Sequence, residues 1–188
     1  MTSDNLVYSN DTCSAFLAAI VRSFEKYHPK GYLGRTAIQK LTYFAKAMGV
    51  PIPCSFNIYT YGPYSDVVTF SMESLMADDV IEDRSSKPEY SNYRLGPAAE
   101  ELLGTFEGEV MPHTGTIDRV VGALGGFKPA ELELIATLHF IAQRQRQIHR
   151  SEPAKQNVIR EFKGVKGEKF SHADISTWYD ALENAGLI

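Results

Sequence analysis

The chain has 188 residues, of which 44% are hydrophobic, 22% charged and 11% aromatic, with a formal net charge of −4. Those values argue against a disordered chain, a collagen or a coiled coil. They exclude a uniformly basic nucleic-acid coat while leaving room for a local basic patch. A chain of this length buries roughly 70% of its unfolded surface and can fold without a disulfide or a metal.

The longest apolar run, Phe16-Leu17-Ala18-Ala19-Ile20-Val21, falls far short of the ~20 residues that cross a bilayer. The start, Met1-Thr2-Ser3-Asp4-Asn5, has no basic stretch ahead of an apolar one, so no signal peptide and no membrane association are expected. Cys13 and Cys54 are expected to be reduced thiols of a cytoplasmic chain, and no C-x-x-C offers a zinc or redox site.

The first helix is predicted over residues 11–27, capped by Asp11 or Thr12 and ended by His28-Pro29. Phe16, Leu17, Ile20, Val21 and Phe24 recur on one face at helical spacing. A second helix is predicted over 36–48, with Gly49 just past its end, where a left-handed residue is needed. Residues 56–61, rich in aromatic and branched side chains, read as a short strand broken by Gly62-Pro63. A third helix follows over 65–78, with Ser65 as N-cap and Val68, Met72, Leu75 and Met76 as its buried stripe. Residues 80–83 and 90–95 read as two strands joined by a polar loop, and Pro97 opens a helix to 106.

The remainder reads as helices over 116–124, 129–148, 154–162 and 171–184, with a flexible basic loop at 163–167. The expected class is therefore mainly α (α+β). The order of elements predicts a winged-helix-like module over residues 1–108, with a small β-hairpin, packed against a C-terminal helical unit over 109–188.

Catalytic patterns are missing from the sequence. The five histidines show no metal-ligand spacing, and His139, on an apolar helix face, reads as a core residue. No P-loop, dinucleotide fingerprint or nucleophile elbow occurs. Asp78-Asp79 and Glu100-Glu101 are adjacent on helices and diverge, so neither makes an acid/base pair. No catalytic residue, cofactor or metal is expected.

Charge is distributed unevenly. Between 144 and 169 eight basic residues face three acidic ones, a local balance of +5 that leaves −9 elsewhere. Arg144, Arg146, Arg150, Arg160, Lys163, Lys166 and Lys169 are the candidates for contacting phosphate. The third helix, the one that would enter the major groove of DNA in a winged helix, has no Lys or Arg and carries Asp66, Glu73 and Asp78. Phe70 points away from that helix's buried stripe, and Tyr59, Tyr61 and Tyr64 precede it, a set suited to anchoring a protein partner.

Gly34-Arg35-Thr36-Ala37-Ile38-Gln39-Lys40-Leu41-Thr42-Tyr43 resembles the G-R-T-x-[LI]-Q-K-L-x-Y segment of YwgA-like proteins, and Tyr61-Gly62-Pro63-Tyr64-Ser65 their Y-G-P-[YF]-S element. Val80-Ile81-Glu82 and Tyr93-Arg94-Leu95-Gly96-Pro97 are similar to their wing. More distantly, the two motifs resemble the Panacea domain of SocA-like antitoxins. The likeness spans roughly residues 10 to 105, with two departures: Thr42 replaces an apolar residue, and Asp79 stands where glycine is usual.

The resemblance implies a non-enzymatic winged helix and, if Panacea-like, an antitoxin that neutralises a toxin encoded nearby. The motif residues Gln39 and Lys40 join the three tyrosines and Phe70 as candidate partner contacts. They could equally be structural, with Gln39 holding the backbone at the Gly62-Pro63 turn. The alternative is a transcriptional regulator that binds DNA, as a homodimer, through the basic 144–169 segment.

Overall fold

A computed structural model describes residues 8–87 and 89–188; the Met1–Asn5 start, where no signal peptide is expected, and Pro88 of the polar loop lie outside them. Along the described chain run helices α1 (Thr12–Tyr27) and α2 (Arg35–Ala47), strands β1 (Asn57–Tyr59) and β2 (Gly62–Tyr64), and helix α3 (Asp66–Ala77). Strands β3 (Ile81–Asp83) and β4 (Tyr93–Leu95) follow, then helices α4 (Ala99–Thr105), α5 (Glu107–Val110) and α6 (Thr114–Leu124), with a 3-10 turn at Met111–His113. Helices α7 (Pro129–His149), α8 (Lys155–Lys166) and α9 (His172–Asn184) complete the order. The class is mainly α, with two small antiparallel pairs, β1–β2 and β3–β4.

The chain divides into two compact units. The first takes the described residues up to Phe56 together with Ser65–Phe127; the second takes Asn57–Tyr64 and Lys128–Ile188. The division therefore departs from a single cut at 108/109. Residues 109–127 group with the first unit, and the β1–β2 hairpin groups with the second.

In the first unit α1 is the central helix, packed against α2, α3, α4, α6 and β4. Phe16, Leu17, Ile20, Val21 and Phe24 are fully buried, as their spacing predicts. Asp11 caps α1 by accepting the Ser14 N–H at 2.9 Å and the Ser14 hydroxyl at 2.8 Å. Gly49, at φ +95°, closes α2: its N–H bonds the Lys46 carbonyl and that of Val50 the Ala45 carbonyl. Thr42, the departure from an apolar position, is fully buried and donates its hydroxyl to the Ile38 carbonyl at 2.7 Å. Within the helix the polar group is thus satisfied.

The other departure is explained by backbone geometry. Asp79 ends α3 at φ +55°, the left-handed position that a glycine fills without strain. Its N–H bonds the Met76 carbonyl and that of Val80 the Leu75 carbonyl, so the cap is complete despite the side chain. Gly96 is required for a different reason, since a Cβ there would lie 2.2 Å from the Asp79 carbonyl oxygen.

In the second unit α7 packs against α8, α9 and β2. Three expectations need correction. The single strand over 56–61 is a hairpin: β1 pairs with β2 across the two-residue turn Thr60-Tyr61, and Gly62-Pro63 lies within β2. Proline is tolerated because both members of a two-stranded ribbon are edges, and Gly62 supplies φ +87°. The basic loop at 163–167 is mostly the last turn of α8, which ends at Gly167 with φ +57°. The span between α4 and α6 is helical at α5 and the 3-10 turn, where no element was expected.

Candidate functional site

Helix α3 shows two opposed faces. Val68, Met72 and Leu75 are buried, and Phe70 is 64% exposed, with Val67 beside it also exposed. Asp66 and Glu73 lie on the exposed side. Asp78 does not join them: its Oδ2 accepts the N–H groups of Tyr8 and Ser9 and the Ser9 hydroxyl, each at 2.7 Å. Of the helix's three carboxylates, one therefore ties down the N-terminal segment and two are offered to solvent.

Gln39 lies on the inner side of this structure and is 5% exposed. Its Nε2 donates to the Ser65 carbonyl at 2.9 Å and to the Thr69 hydroxyl at 3.0 Å, while Oε1 accepts the Ser65 N–H at 3.0 Å. The bonds reach Ser65, two residues beyond the Gly62-Pro63 turn at which a contact was expected, and they fix the start of α3. Ser65 is the N-cap by position, but its side chain makes no capping bond. Lys40 is 1% exposed. Gln39 and Lys40 are thus interior residues, which corrects their placement on a partner-facing surface.

The three tyrosines sit on the β1–β2 hairpin of the second unit. Tyr59 and Tyr61 are 54% and 60% exposed, Tyr64 is half-buried, and the Tyr59 and Tyr64 rings lie 5.2 Å apart. The hairpin is held by a buried ion cluster. Glu133 on α7 accepts the Lys166 ammonium at 2.9 Å and the Lys169 ammonium at 2.8 Å, and Lys166 also donates to the Thr60 carbonyl at 2.6 Å. Lys169 stands 5.0 Å from the centre of the Tyr61 ring, a cation–π contact. Burial pulls the Lys166 ammonium below its usual range, and Glu133 works against that pull.

That cluster changes the reading of the basic segment. Lys166 and Lys169 are consumed by Glu133. Arg144 pairs with Glu161, Arg146 with Glu152, and Lys155 with Asp180 of α9. Arg150, Arg160 and Lys163 remain without an ion pair among the described residues. They do not amount to the phosphate-binding row the sequence predicts. Glu133 is the member of this cluster that sequence reasoning passed over; the signal was an acid inside the apolar run from Leu132 to Ala136.

His139 is interior, 1% exposed, with its Nε2 3.4 Å from the Gln143 amide nitrogen. Burial, assisted by the Arg146 charge, holds its pKa down at about 4. Cys13 and Cys54 are free and buried, and burial raises both thiols, Cys54 to about 11. Neither is primed as a nucleophile. No group of three or more His, Cys, Asp or Glu able to hold a metal occurs among the described residues, and no helix is long and apolar enough to cross a membrane.

The molecule is thus a mainly helical protein whose first unit presents an aromatic and acidic helix face. No family model matches it. Over 130 residues, 68% of this chain, it is 28% identical to the DNA ADP-ribosyl glycohydrolase of Thermus aquaticus, a stretch covering 36% of that relative. Over 109 residues, 56% of the chain, it is 29% identical to the uncharacterized protein YwgA of Bacillus subtilis, covering 63% of it. The chain spans less than two thirds of each relative's length. This second likeness supports the resemblance to YwgA-like proteins that the motifs carry.

Proposed function

We propose that this chain is a non-enzymatic protein-binding module of winged-helix-like build, which neutralises or adapts a protein partner as an antitoxin does. The observation that carries the reading is Phe70, 64% exposed on a helix without a single Lys or Arg. In a winged helix this is the element that would meet DNA, and its two outward carboxylates would repel phosphate. An exposed aromatic with an acidic rim suits a protein surface instead. The free thiols of Cys13 and Cys54 suit a reducing compartment, in keeping with a cytoplasmic protein.

One relative bears an enzyme's name, but this chain spans only about a third of it. We carry no glycohydrolase activity over to this chain from so partial a likeness; among its buried ionisable groups Glu133 is paired and His139 is held neutral. The DNA-binding reading is weakened by the ion pairs that absorb Arg144, Arg146, Lys166 and Lys169.

The test is co-expression with the product of the gene encoded beside it. Growth arrest caused by the neighbour alone, relieved by this chain, with the two co-purifying, is the expected result. The absence of both relief and co-purification would refute the reading.

A further inference from the structure

Helix α3 has more order than its own length requires. It has 12 residues, about 18 Å, and a helix of that length is marginal by itself. Both ends are fixed by long-range bonds. At the start, the Gln39 amide holds both the N–H and the carbonyl of Ser65 and reaches Thr69. At the end, the left-handed Asp79 closes the last turn, and the Asp78 carboxylate is anchored by three donors from Tyr8 and Ser9. The inner face is seated by Val68, Met72 and Leu75.

The outward face is also ordered. At 100° per residue, Asp66, Phe70, Glu73 and Ala77 fall within about 60° of one another, opposite the buried stripe. All four are exposed, and Val67 flanks them. The face thus has a large aromatic near its middle, small or apolar neighbours, and a carboxylate on either side of the ring along the axis. Anchors at i, i+4, i+7 and i+11 are how a helix is read when it lies in a groove. Rigidity before binding removes the entropy cost such a helix otherwise incurs.

Resting on the protein-binding reading above, we infer that α3 is a preorganised ligand helix. It docks into a groove of a partner protein that has an apolar pocket for the Phe70 ring and basic residues along its rim. The occupant is specified by charge complementarity. Asp66 and Glu73 oppose an anionic lipid surface or a nucleic acid and favour a lysine- or arginine-lined protein groove.

The experiment uses the full chain and the purified product of the adjacent gene, with affinity measured by calorimetry. A photo-crosslinking residue replaces Phe70 in a parallel assay in cells. Phe70→Ala should weaken binding by about 100-fold, and Asp66→Lys or Glu73→Lys by about 10-fold each. Affinity should fall steeply between 50 and 300 mM salt (the Debye length shortens from about 14 to about 6 Å). Tyr90→Ala, at another exposed aromatic, should change it less than about twofold. Unchanged thermal midpoints would certify that the variants fold.

A complex indifferent to the α3 substitutions would overturn this inference and leave the protein-binding reading intact. No complex, with no protein adduct at position 70, would overturn both. A homodimer dissociated by Phe70→Ala, or an adduct with nucleic acid, would overturn the assigned occupant.

Discussion

Asp79 shows how much a single backbone angle matters. At φ +55° an L-residue incurs roughly 1 kcal/mol that glycine does not, although aspartate bears it better than most. Asp79→Gly should raise stability by about 0.5 kcal/mol, because the freer unfolded chain of glycine takes back part of the gain. Urea unfolding measures this directly, and a loss of stability would show that the carboxylate has a role the cap geometry does not reveal. His139 gives a second prediction at this scale. Its folded pKa of about 4 lies below the unfolded value near 6.5, so the folded state prefers the neutral ring. The stability this confers is complete above pH 6.5 and declines as pH falls towards 4, by a total of about 3 kcal/mol. The urea midpoint of His139→Leu should decline less steeply across that window than that of the natural protein. Parallel declines would count against burial as the cause.

Among the elements, the β1–β2 hairpin is the most exposed to a single change, since its turn is bonded through a side chain on α8. Removing one member of a buried pair leaves a bare charge, at a cost of about 3–5 kcal/mol. Lys166→Met should lose somewhat less than that, because Glu133 keeps Lys169, but it also deprives the Thr60 carbonyl of its donor. Lys169→Met should cost less, because Lys169 is half exposed and Glu133 keeps its other partner. Joint replacement of Lys166 and Glu133 by methionine and leucine should recover much of the single-variant loss. Thermal unfolding of the three proteins decides the order.

The helices of the first unit were legible in the sequence because Phe16, Ile20 and Phe24, or Val68, Met72 and Leu75, repeat with the helical period. The exposure of Phe70 was legible for the same reason. The hairpin was not, since Gly62-Pro63 reads as a breaker unless the strand is known to lack a second neighbour. Nor was the neutralisation of Lys166 legible, because Glu133 lies 33 positions away and only the packing of α7 on α8 joins them.

For the molecule as a whole, the charge contrast of the sequence shrinks when counted by unit. The second unit holds nine Lys and Arg against eight Asp and Glu, +1, which leaves −5 for the first. A local run of +5 is thus offset by acids elsewhere in the same unit, two of which, Glu133 and Asp180, are bonded to it. Duplex DNA should show no retarded band in a gel shift below about 1 μM protein at ~100 mM salt. A salt-sensitive shift at nanomolar protein would restore the regulator reading. The first unit remains the acidic one, in agreement with the outward face of α3.

The hairpin bears on how such a protein can be inherited. Eight residues (57–64) enclosed by the first unit's sequence belong structurally to the second, so the chain passes between units at 56/57, 64/65 and 127/128. A gene fragment starting at codon 128 would encode α7 to α9 without the strand that lies on α7 and without the carbonyl that Lys166 binds. The second unit cannot be transplanted by recombination at one junction, and the first cannot be excised without taking part of the second with it. The two units can therefore be duplicated, lost or fused to another protein only as a pair.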